Sequence, residues 1–321
     1  MQQKSVLILG SSGQDGAFLA KAFLDRGFRV HGVSRQTSHR LSAMGISQTQ
    51  VDISSEVKFR KLLTNTNPDI VINLVSLSSV ALCEKNPQLS EEINLMLVRK
   101  IAPQVENFSS ESSKKIHFVQ ASSSEMFGPG QELCNELTPM NPVTTYGKHK
   151  YDAHQFLINR IHQLVRYTSV ILFNHESEFR PTGFVSAKVA RAAAEVASTG
   201  STKIEFGNIQ SKRDWGFAGD YMKAMCNIAL TAKHNCYVIA SSELHSVEEM
   251  IRIAFDTVGV TDFKGFINLN PEYFRLIETP PIRGDNSLYR NEFGWTPSVT
   301  FKELVQNMVR HHMMEIEESI R

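Results

Sequence analysis

Cysteine and tryptophan are scarce in this chain of 321 residues, which holds four of the first and two of the second. Cys83, Cys134, Cys226 and Cys236 stand far apart, without the close pairing that zinc sites and redox motifs use. They read as reduced thiols, and no metal site is expected. An excess of one charge is missing too, since 34 basic and 33 acidic side chains leave a formal +1. That balance gives nucleic acid or an anionic membrane no electrostatic target. No apolar run approaches the roughly 20 residues that cross a bilayer, and Val6 to Leu9 is broken at once by glycine and polar residues. A cytoplasmic protein is the expectation. Repeats and low-complexity tracts are absent; Ser109 to Lys115 is a short polar loop.

What is present begins at the N-terminus. Val6-Leu7-Ile8-Leu9 reads as a buried strand, and Gly10-Ser11-Ser12-Gly13-Gln14-Asp15-Gly16 then opens an apolar helical stretch through Ala17, Phe18, Leu19, Ala22, Phe23 and Leu24. Glycines at such a turn let backbone approach a pyrophosphate and leave the helix N-terminus free to hold it. The spacing is GxxGxxG, not the GxGxxG of the usual dinucleotide dehydrogenases. A second strand, Phe28 to Val33, leads to Ser34-Arg35-Gln36-Thr37-Ser38, with Arg40 further on and no acid to take a ribose 2′-hydroxyl. Cations without a nearby acid suit a 2′-phosphate, so NADP is the expected cofactor; Arg35 as a solvated surface charge is the alternative. Val51-Asp52-Ile53 reads as the end of the third strand, with Asp52 placed to meet the adenine, and Val71 to Val75 as the fourth. The expected cofactor contacts are Gly10, Ser12, Gly13, Gln14, Asp15, Gly16, Arg35, Asp52, Ile53 and Leu74, together with Tyr146, Lys150 and His175.

The chemistry is concentrated in Gln120-Ala121-Ser122-Ser123-Ser124-Glu125 and in Tyr146-Gly147-Lys148-His149-Lys150. A strand through Ile116, His117, Phe118 and Val119 ends where the serines begin, at the carboxyl edge where open α/β sheets bind ligands. Tyr146 and Lys150, four apart, share one face of the following helix. A neighbouring ammonium favours the phenolate, so this pair suits oxidation of an alcohol.

Strand and helix signals alternate to about residue 173, which predicts an α/β fold of the Rossmann type, a doubly wound parallel sheet. Ser169 to Phe173 reads as its last strand before the pattern changes at Pro181-Thr182-Gly183 and a helix from Phe184 to Val196. Tyr237 to Ala240 reads as a strand returning to the sheet. The expected division is a cofactor domain over 1–173, rejoined by 211–243, and a smaller, discontinuous substrate domain over 174–210 and 244–321.

With these motifs assembled, the chain resembles the extended short-chain dehydrogenases/reductases and, within them, the GDP-mannose 4,6-dehydratases. Beyond the glycine turn, the Gln120–Gly128 stretch and YxxxK, the resemblance rests on Leu172-Phe173-Asn174-His175-Glu176-Ser177. It rests also on Gly207-Asn208, on Arg213-Asp214-Trp215-Gly216 with Asp220-Tyr221, and on Tyr273-Phe274-Arg275 with Glu278. It implies that Tyr146 takes the proton of the sugar 4-hydroxyl while hydride passes from carbon 4 to NADP, and that Lys150 holds the ribose and lowers the phenol pKa. Ser123 would bond the same sugar oxygen. Glu125 would remove the carbon 5 proton, so that water leaves from carbon 6 and hydride returns there. Ser124, Asn174, Glu176, Lys188, Arg213, Arg275 and Glu278 are implied contacts of a GDP-sugar, arginine forks suiting pyrophosphate. Without the surrounding motif, Arg213 could instead pair with Asp214 or Asp220. Trp215 and Trp295 read as packing residues.

Two departures stand out. Where the resembling group usually reads Gln-Ser-His-Val after the fourth strand, this chain has Leu77-Ser78-Ser79-Val80. The segment from Arg35 to Asp52 is also short and lacks a paired arginine, which leaves a homodimer or a homotetramer open. The altered pocket leaves a GDP-linked heptose open beside GDP-mannose. A reductase or epimerase of GDP-4-keto sugars is the rival activity, and an NADP-binding sensor without turnover the rival of another class. The acid at 125 separates them, because a keto-reductase needs no base for carbon 5.

Overall fold

The computed structural model describes residues 3–200, 203–270 and 280–320. Its centre is a seven-stranded sheet in which every pairing is parallel. The first five strands in the chain are β1 (Ser5–Leu9), β2 (Arg29–Ser34), β3 (Ser47–Gln50), β4 (Ile70–Asn73) and β5 (Ile116–Ser123). They lie in the order β5-β4-β1-β2-β3, and Val165–Leu172 and then Cys236–Ile239 extend the β5 edge. The returning strand expected near Tyr237 therefore joins this sheet, pairing Tyr237 with Val170.

Burial on both faces explains the unbroken apolar strands. Successive side chains of a strand point to opposite faces. Val6 and Ile8 pack with Phe23, Ile72 and Met222 on one face. Leu7 and Leu9 pack with Phe59, Val98, Ile101 and Phe118 on the other. Each such side chain, fully buried, contributes about 1.5–3 kcal/mol. A third core, around Ala190, Trp215, Phe255, Phe301 and Leu304, lies apart from these two. There Trp215 stacks on Phe301, while Trp295 meets Tyr289 edge-on, so both tryptophans pack.

Strand order reverses direction between β1 and β4, which creates the crevice at the carboxyl ends where such sheets hold ligands. Details differ from the sequence reading in ways that matter there. β3 stops at Gln50, which puts Val51, Asp52 and Ile53 beyond the strand instead of at its end. β5 runs on to Ser123, paired with Leu172, and Ser124–Met126 is a single 3₁₀ turn. Lys212–Phe217 stands outside the main sheet, in a three-stranded one with Asn174–Glu176 and Leu244–Ser246. All four cysteines are free. Among the described residues no helix is long and apolar enough to cross a membrane.

Candidate active site

A cleft of about 2010 Å³ opens along the carboxyl ends of the strands. Its floor is the β1 turn. Gly10 has φ +81°, a left-handed conformation, and its N–H donates to Val33 O at 2.7 Å. A Cβ here would stand 2.9 Å from the Val75 nitrogen, so only glycine lets the turn pass the end of β4. Gly13 precedes the helix Gln14–Leu24 with no side-chain cap, and a Cβ added to it would meet nothing closer than Gly10 O at 3.8 Å. Ser12 and Gly13 are exposed, and the first turn of an 11-residue helix thus presents its N–H groups to the cleft. This open cradle fits a pyrophosphate.

Gln14, Asp15 and His175 do more than line that cradle. His175 Nε2 lies 3.1 Å from Asp15 Oδ2 and its Nδ1 lies 2.7 Å from Phe173 O. Gln14 donates to Asp15 and to His175 O, and accepts from Ser177 Oγ at 2.8 Å. Burial opposes charge at both ends of the pair, yet the His175 imidazole holds Asp15 down at about 2, and the Asp15 carboxylate raises His175 above 6.5. The imidazole stacks on Tyr221 at 5.0 Å.

Arg35, Asp52, Ile53 and Leu74 all line the cleft. Arg35 and Asp52 are exposed, and Ile53 is buried. Asp52 accepts from Ser54 N at 2.9 Å, and its carboxyl is held low by that hydrogen bond and by Lys58 and Arg35. Arg40 is not in the cleft lining; its guanidinium stacks 3.9 Å over Phe179.

Ser123, Glu125, Tyr146 and Lys150 come together at the end of β5. Thr144 caps the helix Thr145–Ile158 through Gly147 N, so Tyr146 enters the cleft from the first turn and Lys150 from the next. Ser123 and Ser76 stand close enough to the phenol to work against its upward shift. Ser123 Oγ accepts from Glu125 N at 3.3 Å, and Thr144 Oγ1 reaches Glu125 Oε2 at 3.5 Å. A Cβ on Gly147 would fall 2.5 Å from Glu125 O, which shows how closely the helix start rides on the acid's backbone. Lys150 Nζ donates to Ala121 O at 2.6 Å and stands 6.0 Å from the Tyr146 ring. The expected lowering of the phenol is not met by the chain's own groups. Burial pushes Tyr146 up to about 12, against those two serines, and pushes Lys150 down to about 8. Desolvating both groups outweighs what an ammonium at that distance supplies.

Ser124, Asn174, Glu176, Lys188 and Arg213 line the same cleft. Glu176 is buried and engaged by Ser186 Oγ at 2.7 Å and by Arg180 Nε at 2.9 Å. Arg180, which the sequence reading passed over, also lines the cleft. Lys188 Nζ donates to Glu205 O, and its ammonium lies 5.3 Å over Phe206. Asp214 accepts from Ser241, Ser242 and Gly284, and Asp220 from Ser298. Arg213 instead donates to Lys212 O at 2.6 Å. Arg275 and Glu278 lie outside the described residues.

The departures at Leu77 and Ser79 acquire a local role. Ser79 Oγ accepts from Leu82 N and caps the helix Val80–Lys85. Leu77 N donates to Asn94 Oδ1 at 3.0 Å, and Ser76 Oγ donates to the same oxygen at 2.8 Å. Asn94 is buried in a π-helical turn, Glu92–Met96. Ser76 and Thr144 also line the cleft, and the sequence motifs do not single them out; Ser76 lies shortly past β4 and Thr144 just before YxxxK.

Comparison with known proteins bears on this arrangement. A family model described as GDP-mannose 4,6 dehydratase matches residues 7–308. GDP-mannose 4,6 dehydratase 1 of Arabidopsis thaliana is 34% identical over 96% of this chain and 89% of its own length. The GDP-mannose 4,6 dehydratase of Drosophila melanogaster is 32% identical over 96% of this chain and 86% of its own. Among solved structures, a Thermus thermophilus UDP-glucose 4-epimerase in complex with NAD superposes with a TM-score of 0.84 at 19% identity, covering 96% of this chain and 98% of that one. At that identity the likeness speaks for the fold alone.

Proposed function

The chain belongs to the GDP-mannose 4,6-dehydratase family, and from that premise we propose how its residues divide the reaction. The enzyme is a hydro-lyase that removes water from GDP-mannose. A nicotinamide cofactor bound there, NADP in our reading, would supply a hydride acceptor for carbon 4, a donor for carbon 6 and, when oxidised, a positive charge. Gly10, Ser12, Gly13, Asp15 and Lys150 are the residues we assign to holding it, with Arg35 beside its ribose.

Tyr146 takes the proton of the 4-hydroxyl. A phenol raised to about 12 by burial is neutral at pH 7, so it accepts that proton only once positive charge has lowered it. Ser123 donates to the same sugar oxygen and steadies it as it becomes a carbonyl. The ketone acidifies carbon 5. Glu125 removes the proton there and hands it to the departing 6-hydroxyl, which leaves as water; as hydride adds to carbon 6, carbon 5 takes a proton back from solvent and Tyr146 gives up the one it took. The observation that carries this reading is the convergence of Tyr146, Ser123 and Glu125 at the end of β5. A simple keto-reductase has no use for the acid.

Asn174, Lys188, Arg213 and Arg180 line the remainder of the cleft and are read as the cradle of the nucleotide diphosphate sugar. We read 1–173, rejoined by 211–243, as the cofactor domain and 174–210 with 244–321 as the sugar-nucleotide domain; the separate core around Ala190, Phe255 and Leu304 supports the division, except that Lys212–Phe217 pairs with Asn174–Glu176 and puts Trp215 in that core, while Tyr289 packs in the core of the main sheet. The test is incubation with GDP-mannose and NADP followed by mass analysis. Loss of one water from the sugar nucleotide is expected, and an unchanged mass contradicts the reading. A GDP-heptose run in parallel tests whether the altered residues Leu77 and Ser79 admit a larger sugar.

A further inference from the structure

Glu84 is a carboxylate in the cleft lining that the sequence motifs leave without a role. Thr145 N donates to its Oε1 at 2.6 Å and Thr145 Oγ1 donates to its Oε2 at 2.8 Å. Both oxygens therefore grip one residue, the first of the catalytic helix and the neighbour of Tyr146. The grip is charge-assisted, and it places negative charge at a helix N-terminus, where the dipole favours it.

The carboxylate is itself held. Ser79 caps the short helix that presents it, and Cys83 Sγ donates to Leu77 O at 3.2 Å. One turn further along the catalytic helix, His149 Nδ1 meets Ser90 Oγ at 2.9 Å, and Asn94 Nδ2 donates to that same oxygen. The segment from Ser79 to Asn94 thus brackets one face of the helix at Thr145 and again at His149. On the other side, Thr144 reaches Glu125. The first turn stands between the two acids, tied to Glu84 through Thr145 and to Glu125 through Thr144.

We propose that Glu84 is a positioning residue, which fixes the first turn of the catalytic helix and through it the separation of Tyr146 from Glu125. It touches neither sugar nor cofactor in this role. The proposal rests on the dehydratase reading above. A displacement of about 1 Å in a reacting group costs up to 10²-fold in rate, so a loosened turn shows in kcat before it shows in binding.

The experiment compares Glu84→Ala, Glu84→Gln and Thr145→Val in the dehydration of GDP-mannose with NADP. Glu84→Ala is expected to lower kcat about 10- to 100-fold with little change in KM or in NADP affinity. Glu84→Gln, which keeps an acceptor for Thr145 N, recovers most of the rate. Thr145→Val keeps the backbone donor and falls between, and the double variant is no slower than Glu84→Ala, because the two remove one interaction. Should Glu84→Ala fail to fold, Thr145→Val carries the test. Unchanged kcat in the folded variants, or losses that track NADP affinity and thermal stability without rescue by glutamine, overturn the proposal. If the unaltered chain releases no water from GDP-mannose, the dehydratase reading fails and this proposal falls with it; an active chain with equally active variants overturns this proposal alone.

Discussion

His175 Nε2 lies 3.1 Å from Asp15 Oδ2, and this contact ties the start of the helix behind the glycine turn to the segment that carries Asn174 and Glu176. The two residues are 160 apart in sequence. The imidazole bonds an oxygen at each nitrogen, as a protonated ring does. The cofactor cradle and the proposed sugar cradle are therefore joined by an ion pair, with Arg180 the nearby cation that opposes His175 and favours Asp15.

The pair makes stability depend on pH with a definite sign. Asp15, lowered to about 2 from 3.8, contributes above its unfolded value and loses that contribution only as pH falls toward 2. His175, raised above 6.5, contributes in full below 6.5 and loses it as pH climbs through its folded value. Asp15→Asn is expected to cost about 1–3 kcal/mol, at the lower end because both side chains keep some solvent contact. The Tm gap between the unaltered chain and Asp15→Asn should be widest near pH 6 and narrow through alkaline pH; a gap that widens with pH contradicts the ion pair.

Arg35 lines the cleft, and from its proposed place beside the cofactor ribose NADP should bind in preference to NAD. Arg35→Asp removes a charge-assisted hydrogen bond worth about 1.5–3 kcal/mol and adds repulsion, so NADP affinity should fall at least tenfold. Titration calorimetry with both cofactors checks this. Equal affinities in the unaltered chain contradict the assignment.

Tyr146→Phe keeps the ring and removes the hydroxyl that stands beside Ser123 and Ser76. Cofactor reduction by GDP-mannose should fall about 10²- to 10⁴-fold, while affinity for the sugar nucleotide stays within a few-fold. Retained reduction would remove the phenol from the reaction.

Much of this was legible in the sequence because local rules carry it. The glycine turn, the buried strand runs and the i, i+4 pair of Tyr146 and Lys150 are short-range patterns, and the parallel sheet follows from their alternation. The rest depends on contacts between distant segments. Nothing near Glu84 in sequence announces that it meets Thr145, 61 residues on. Glu176 sits within a motif, yet its burial against Ser186 and Arg180 is a product of folding. The phenol's environment is illegible for a related reason: spacing shows that Lys150 shares a helix face with Tyr146, whereas the desolvation that raises the phenol is set by the whole surround.

The division of labour between Tyr146 and Glu125 is tested most directly by following Glu125→Gln with GDP-mannose and NADP, recording reduced nicotinamide by absorbance and product by mass. With the carbon 5 base gone and Tyr146 intact, reduced cofactor should accumulate while dehydrated product falls about 10²- to 10⁴-fold. Dehydration at the unaltered rate, with no build-up of reduced cofactor, would show that Glu125 is not the base.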